Sequence, residues 1–229
     1  MYAPWDDILT IAMSAGARFL LIFLFGLAMA WVARPIQAGY KARPWNMDAR
    51  ENYPASLTSE GVTIAAEPLF SDALAARFFD KDDIVTRGIM PLAILIFNDN
   101  SFPIEIDGLS IELIQGDDHI RTLMPSEVAY RLFLKDKSWT SQPIPRLSRS
   151  QLNTEALEDF EAKFLLTKTV APHSKAGGFL YVHLFEKDIA SYLSTAFVYI
   201  PKVYRQDNGS RLIFFEIPLK AAINAAARG

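Results

Sequence analysis

Ile89-Met90-Pro91-Leu92-Ala93-Ile94-Leu95-Ile96-Phe97-Asn98-Asp99-Asn100 is the stretch on which the fold turns. From Ile89 to Phe97 no side chain is polar, and a short uninterrupted apolar run closed by a turn reads as a buried strand. Asn98-Asp99-Asn100 supplies that turn, because Asn and Asp bond their own backbone and tolerate left-handed conformations. Pro91 lacks an N–H, which places the start of the strand at an edge.

Upstream, Val62-Thr63-Ile64-Ala65 reads as a first short strand, and Asp72 as the cap of a short helix through Ala73, Leu74, Ala76 and Phe78. Downstream, Ile104 and Ile106 share one face, whereas Leu109, Ile111 and Leu113 take the opposite parity. Asp107-Gly108 sits at the switch, which calls for a bulge or a tight turn. Gly116-Asp117-Asp118 then turns into Ile120-Arg121-Thr122-Leu123. A helix capped by Ser126 is expected over 127–134, with Val128, Ala129, Leu132 and Phe133 on one side. A polar loop follows over 136–150, then a second helix over about 153–165. Leu157, Phe160 and Phe164 point inward there, and Glu155, Glu158, Asp159 and Glu161 form a solvated acidic face.

The last third returns to strands. Gly177-Gly178 reads as strand-entry glycine ahead of Phe179 to Phe185. Leu180, Val182 and Leu184 line one face, and Phe179, Tyr181 and Phe185 the other. Two apolar faces mark a central strand with cover on both sides, one of them a helix. Residues 195–205 and 211–219 form a hairpin over Asp207-Asn208-Gly209-Ser210, where Asn-Gly is a strong hairpin signal. Ile213, Phe215, Ile217 and Leu219 give the inward face of the last strand, and 221–229 is a tail that reads as a fraying helix.

Ahead of all this stands Phe19 to Ala33, uncharged, preceded by Arg18 and ended by Arg34-Pro35. At about 1.5 Å per residue a helix over this run spans roughly 22 Å, short of the roughly 30 Å hydrocarbon core. One reading is an export signal with Arg18 as its basic residue and Ala28-Met29-Ala30 as the cleavage pattern. The other is a retained anchor starting near Ile8, which encloses Arg18 at a cost of about 2.5–3.5 kcal/mol unless it snorkels or finds a partner. Asp6 and Asp7 in a long leading segment favour the anchor. Arg34, Lys41 and Arg43 after the run favour a cytoplasmic C-terminal domain. The Ala-Met-Ala pattern and the β-rich body favour export, and the adopted reading is a bacterial inner membrane with the C-terminal domain periplasmic. Residues 34–60, broken by Pro35, Gly39, Pro44 and Pro54, read as a Pro-containing tether. Trp31, Tyr40 and Trp45 are candidates for an interfacial aromatic belt.

The remainder of the 229 residues suits one domain, over 61–220, with a helical insertion at about 125–165. The net charge of −3 and the lack of an arginine-rich tract argue against a nucleic-acid partner. With no cysteine in the chain, thiolate metal sites, redox motifs, disulfides and lipid-modified cysteine are excluded.

The strand count and spacing are those of an immunoglobulin-like β-sandwich, mainly β with inserted helices, behind the N-terminal hydrophobic helix. The stretch "FNDNSFPIEIDGLSIELIQGDD" with the later "APHSKAGGFLYVHLF" resembles uncharacterised bacterial membrane-anchored or exported proteins with such a sandwich. The resemblance covers about residues 62–219, with a large helical gap, and implies no catalytic residues.

Motifs for chemistry are sparse. His119, His173 and His183 show no zinc spacing. The acidic turn residues Asp80, Asp82, Asp83, Asn98, Asp99, Asp117 and Asp118 would hold calcium only if the fold gathered them. No Gly-x-Ser-x-Gly elbow, Walker loop or dinucleotide fingerprint is present. No cofactor is expected. The loop over 138–149 has the most contact character, through Trp139, Pro143, Pro145, Arg146 and Arg149. With Arg18 these are the candidate partner contacts. The sequence therefore points to a non-enzymatic, membrane-tethered binding or assembly module of the cell envelope. Its partners would be the membrane and another envelope or membrane protein. An accessory subunit of a larger membrane complex, or a carboxylate- or metal-dependent enzyme, are the alternatives.

Overall fold

The computed structural model describes residues 39–133, 153–184 and 188–228. The chain divides into two compact units, Met1–Gly39 and Tyr40–Gly229, and the account below concerns the second. The run over 19–33 lies outside the described residues, as do Arg18, Trp139, Pro143, Pro145, Arg146 and Arg149. Among the described residues no helix is long and apolar enough to cross a membrane.

In chain order the strands are β1 (Ser56–Ser59), β2 (Val62–Pro68), β3 (Ile89–Asn98), β4 (Ile104–Asp107), β5 (Glu112–Gln115) and β6 (Asp118–Arg121). They continue as β7 (Thr167–Val170), β8 (Ser174–His183), β9 (Phe197–Ile200), β10 (Val203–Arg205) and β11 (Phe215–Pro218). The helices are α1 (Asp72–Ala75), α2 (Pro125–Phe133), α3 (Thr154–Lys163), α4 (Ile189–Leu193) and α5 (Lys220–Ala226). The protein is mainly β, with three antiparallel sheets ordered β1-β2-β3-β8, β10-β4-β7 and β11-β9-β5-β6.

The run 89–98 is the buried strand its composition demands: every residue of β3 is buried. Its two faces serve two cores. Met90, Leu92, Ile94 and Ile96 meet Ile104, Ile106, Leu113, Val198, Phe215 and Ile217 of the other two sheets. Ile89, Ala93, Leu95 and Phe97 meet the helices and an aromatic cluster around Phe79, Phe160 and Phe179. The same alternation splits β8, with Leu180 and Val182 in the first core and Phe179 and Tyr181 in the second. The four-stranded sheet is thus a middle layer, covered by helices on one face as the doubly apolar Phe179–Tyr181 region requires.

Pro91 sits inside β3 and not at a sheet edge. Its carbonyl accepts from Leu69, so its backbone groups face β2 one step past the last β2–β3 pair, Pro68↔Leu92. The missing N–H falls just past the end of the β2–β3 ladder, where Leu69 N–H makes the bond that Pro91 can still accept. β8 is an edge strand by pairing order, but its free edge is covered. Tyr181 N–H donates to Thr122 Oγ1, Leu123 N–H donates to the Tyr181 carbonyl, and Leu165 N–H donates to the Phe179 carbonyl.

The parity switch at Asp107-Gly108 is real, and its cause is a dislocation. Ile106 pairs with Val203 and Glu112 with Tyr199, so 107–111 on one strand oppose only 200–202 on the other. The surplus is wound into a 3₁₀ turn over Gly108–Ser110, with the Asp107 carboxylate accepting from Leu109 N–H. Ile111 and Leu113 return to the core, but Leu109 sits on the turn and is exposed, against the expectation for it. A Cβ on Gly108 would lie 1.8 Å from the Leu165 carbonyl oxygen, so glycine is required by the crossing chain.

Several local expectations change. Residues 40–60 are not a free tether: Tyr40, Tyr53 and Ala55 are buried, and β1 pairs with β2 through a two-residue turn at Glu60 and Gly61, both with positive φ. Ser71, not Asp72, caps α1; the Asp72 carboxylate instead accepts from the Val85 and Thr86 backbone. At α2, Pro125 opens the helix and Glu127 reaches back to Met124 N–H, so Ser126 is not the cap. Gly177 and Gly178 lie within β8, not at its entry. The hairpin over 207–210 forms through Tyr204↔Arg211 and β9–β11, but β10 leaves it to pair with β4.

Candidate functional site

Among the described residues, a densely polar place in the interior lies on α3, where the buried stripe carries a carboxylate and an amine. Ala156, Phe160 and Lys163 follow the helical repeat, and Asp159 falls on the same stripe four residues before Lys163. Asp159 is therefore buried, correcting its assignment to a solvated face. Lys163 Nζ lies 2.6 Å from both Asp159 oxygens and donates to the Phe78 carbonyl at 2.8 Å. Tyr40 Oη donates to Asp159 Oδ2 at 2.6 Å. Every strong polar atom of the pair has a partner, as burial of two charges demands.

The surroundings are aromatic. Lys163 Nζ stands 4.8 Å from the Phe79 ring centre. Phe160 stacks on Phe79 at 5.2 Å and meets Tyr181 edge-on at 5.4 Å. Tyr181 Oη donates to the Phe160 carbonyl at 3.0 Å. Burial pushes the Tyr40 phenol well above its usual range, and its bond to the Asp159 carboxylate adds to this. Burial likewise raises Tyr181, and it lowers the Lys163 ammonium against the pull of Asp159.

These shifts set a pH dependence. A phenol whose folded pKa is raised contributes stability that is complete below its unfolded value, near 10, and is lost as pH rises beyond it. Lys163, lowered, acts in the opposite sense only up to its own unfolded value near 10.4. Thermal midpoints are expected to hold to about pH 10 and then fall, with Tyr40→Phe showing a shallower fall than the parent. Equal slopes for the two proteins would refute the assignment.

Tyr40 belongs to a segment, Tyr40–Tyr53, that lies across the aromatic face as a strap. Trp45 packs on Phe179 with centroids 4.8 Å apart. A Cβ on Gly177 would come within 2.6 Å of the Ile94 carbonyl oxygen, 2.9 Å of Trp45 Cη2 and 3.0 Å of Met47 Sδ, so glycine is required first by the neighbouring strand and also leaves room for the strap. Trp45 and Tyr40 are thus packed on the domain. Arg43 donates to the Ala76 carbonyl and pairs with Asp80 at 3.0 Å, and Lys41 N–H donates to the same carboxylate. Arg50 grips Asp99 through two bonds of 2.7 and 3.0 Å, and the Lys175 amine holds the Met47 and Asp48 carbonyls. The Lys41 and Arg43 bonds hold Asp80 below the usual carboxylate range, and Arg50 does the same for Asp99.

Among the described residues, the histidine and acidic-turn candidates do not converge. His119 Nδ1 lies 2.9 Å from Glu112, His173 takes a positive φ in the loop before β8, and His183 is on β8, its pKa lowered by burial. Asp80, Asp83 and Asp99 are each engaged by a basic side chain, and the buried Asn98 amide donates to carbonyls of Phe102, Val170 and Ala171. Among the described residues no group of three or more His, Asp or Glu side chains is placed to hold a metal ion. Asp159 was legible in one respect: its i, i+4 relation to Lys163 on the Ala156–Phe160 stripe. Nothing local announced Tyr40, whose partner is 119 residues away.

No family model and no curated protein matches the sequence. Solved structures with a partial likeness include the yjhA protein from Bacillus subtilis, at 8% identity and TM-score 0.34, over 65% of this chain and 78% of that one. The ycdA protein of Bacillus subtilis aligns at 10% identity and TM-score 0.36, over 76% of this chain; the alignment spans 42% of that protein. A functionally unknown protein from Listeria monocytogenes aligns at 11% identity and TM-score 0.31, over 71% of this chain and 79% of that one.

Proposed function

We propose that this protein is a non-enzymatic, membrane-tethered module for binding or assembly in the bacterial cell envelope, with its β domain periplasmic. The observation that carries the reading is the uncharged run 19–33, set only a few residues in sequence ahead of Tyr40.

The β core fits an immunoglobulin-like sandwich. Supporting this, β2-β3-β8 match the neighbours A-B-E of that fold, and β5-β9-β11 match C-F-G, with α2 and α3 inserted between the two halves. Full-length protein is expected to stay with membranes through high-salt and alkaline washes and to leave only in detergent. Recovery as a soluble monomer without detergent would overturn the reading.

A second reading, an accessory subunit of a larger membrane complex, is favoured by Arg18. A basic side chain within an anchor is best accommodated by a carboxylate on a neighbouring helix. In that case Arg18→Leu strips the protein from the complex during detergent purification, and unchanged co-purification excludes it.

A further inference from the structure

We propose that Tyr40–Tyr53 is a releasable strap that lifts from the folded domain as a unit and uncovers the aromatic groove and the Lys163 amine beneath it.

The strap is held differently from everything it touches. Over Tyr40–Tyr53 the backbone–backbone bonds are internal to the 3₁₀ turn, Asn52 to Ala49 and Tyr53 to Arg50; ladder pairing with the domain begins only at Ala55, whose carbonyl accepts from Ala66. Among the described residues, every polar tie between strap and domain runs through a side chain. Two of these ties, Arg43–Asp80 and Arg50–Asp99, are ion pairs whose side chains are 31–49% exposed. Pairs at that exposure are weak and screened by salt.

The apolar hold is intermittent. Tyr40 and Tyr53 are buried at the two ends, Trp45 and Met47 are half-buried between them, and the residues flanking them are mostly exposed. A segment fixed by a few side chains, without a ladder, opens at lower free energy than the sheet it covers. By contrast, β3 is paired along its length with β8 and along most of it with β2.

What lifts away matters. Trp45 covers Phe179, Tyr53 covers Phe97, and Tyr40 covers Phe160 and the Asp159–Lys163 pair. Removing the strap converts a closed aromatic cluster into an open groove with an ammonium at one end. The strap is also the part of the domain that continues in sequence directly into residues 1–39. The device does not depend on which reading of the N-terminal run holds.

Lys163 reports the open state, because its amine is shielded while Tyr40 is seated. Full-length protein in detergent micelles is treated with acetic anhydride, and Lys163 acetylation is read by peptide mass spectrometry. Global unfolding is read on the same sample from the slowest-exchanging amides of β3. Lys163 is expected to label at least ten-fold faster than global unfolding permits, and faster still as salt rises. The doubly substituted Arg43→Cys/Asp80→Cys protein tests the hinge directly, since the chain has no other cysteine. Reduced, it lacks one anchor and should label several-fold faster than the parent; joined by a short bis-maleimide, it should label at least ten-fold slower than when reduced. Labelling at the global unfolding rate, unmoved by salt or by the cross-link, would overturn the proposal.

Discussion

Lys163→Met is expected to lower the unfolding free energy by about 3–5 kcal/mol, the cost of leaving a buried charge without its partner. Methionine preserves most of the side-chain volume, so the loss reads the charge and not a cavity. In the parent, Asp159 receives Lys163 on both oxygens and Tyr40 on one; after the substitution Tyr40 alone remains. The Phe78 carbonyl loses its donor as well. Replacing both members, as Asp159→Leu with Lys163→Met, should recover most of the loss, because an apolar pair of similar size carries no desolvation penalty. Denaturant titration of the full-length protein, followed by far-ultraviolet circular dichroism, measures both. A loss under about 1 kcal/mol for the single variant would mean that water reaches Asp159 once the lysine is gone, and that this interior is wetter than its packing indicates.

Phe160→Ala should cost a similar amount, about 3–5 kcal/mol, for a different reason. Phe160 is fully buried, stacked on Phe79 and set edge-on to Tyr181, with Tyr40 6.1 Å away. Truncation removes the centre of that cluster, and α3 cannot slide to close the gap while Asp159 and Lys163 are fixed beside it. Phe160→Leu, which keeps most of the volume, should lose much less. Because Phe160 and Lys163 share Phe79 as a neighbour, the double variant Phe160→Ala/Lys163→Met should depart from additivity by at least 0.5 kcal/mol. Strict additivity would show that the aromatic cluster and the ion pair are independent.

These two positions mark the boundary of what could be read from the chain. Phe160 was legible as a core residue, since Leu157, Phe160 and Phe164 repeat at helical spacing. Asp159 was misread because acidic neighbours on both sides gave the helix an apparently uniform outer face. Burial of a carboxylate depends on whether a partner arrives, and Tyr40 arrives from the far end of the chain. The packing of residues 40–54 was missed for a related reason: prolines interrupt any long helical or strand period there, but irregular backbone can still be packed through its side chains. Gly177 shows the same gap between local and tertiary cause. In sequence it reads as strand-entry glycine, yet in the fold it lies within β8, where a Cβ would meet the Ile94 carbonyl oxygen and the side chains of Trp45 and Met47.

By itself the sequence determined what depends on near neighbours and on solvent: the buried strand over 89–98, the turns at 116–118 and 207–210, the apolar faces of β8 and the helix over 154–163. Hydrophobic period and turn chemistry act over a few residues, so a linear reading reaches them. Only the tertiary structure decided that the sheet is a middle layer with two cores, that the Asp107–Ile111 surplus dislocates one strand pair into two sheets, and that Tyr40–Tyr53 straps the aromatic face over a buried ion pair. Those outcomes rest on contacts between residues far apart in sequence, where close packing and desolvation, not local preference, choose the partner.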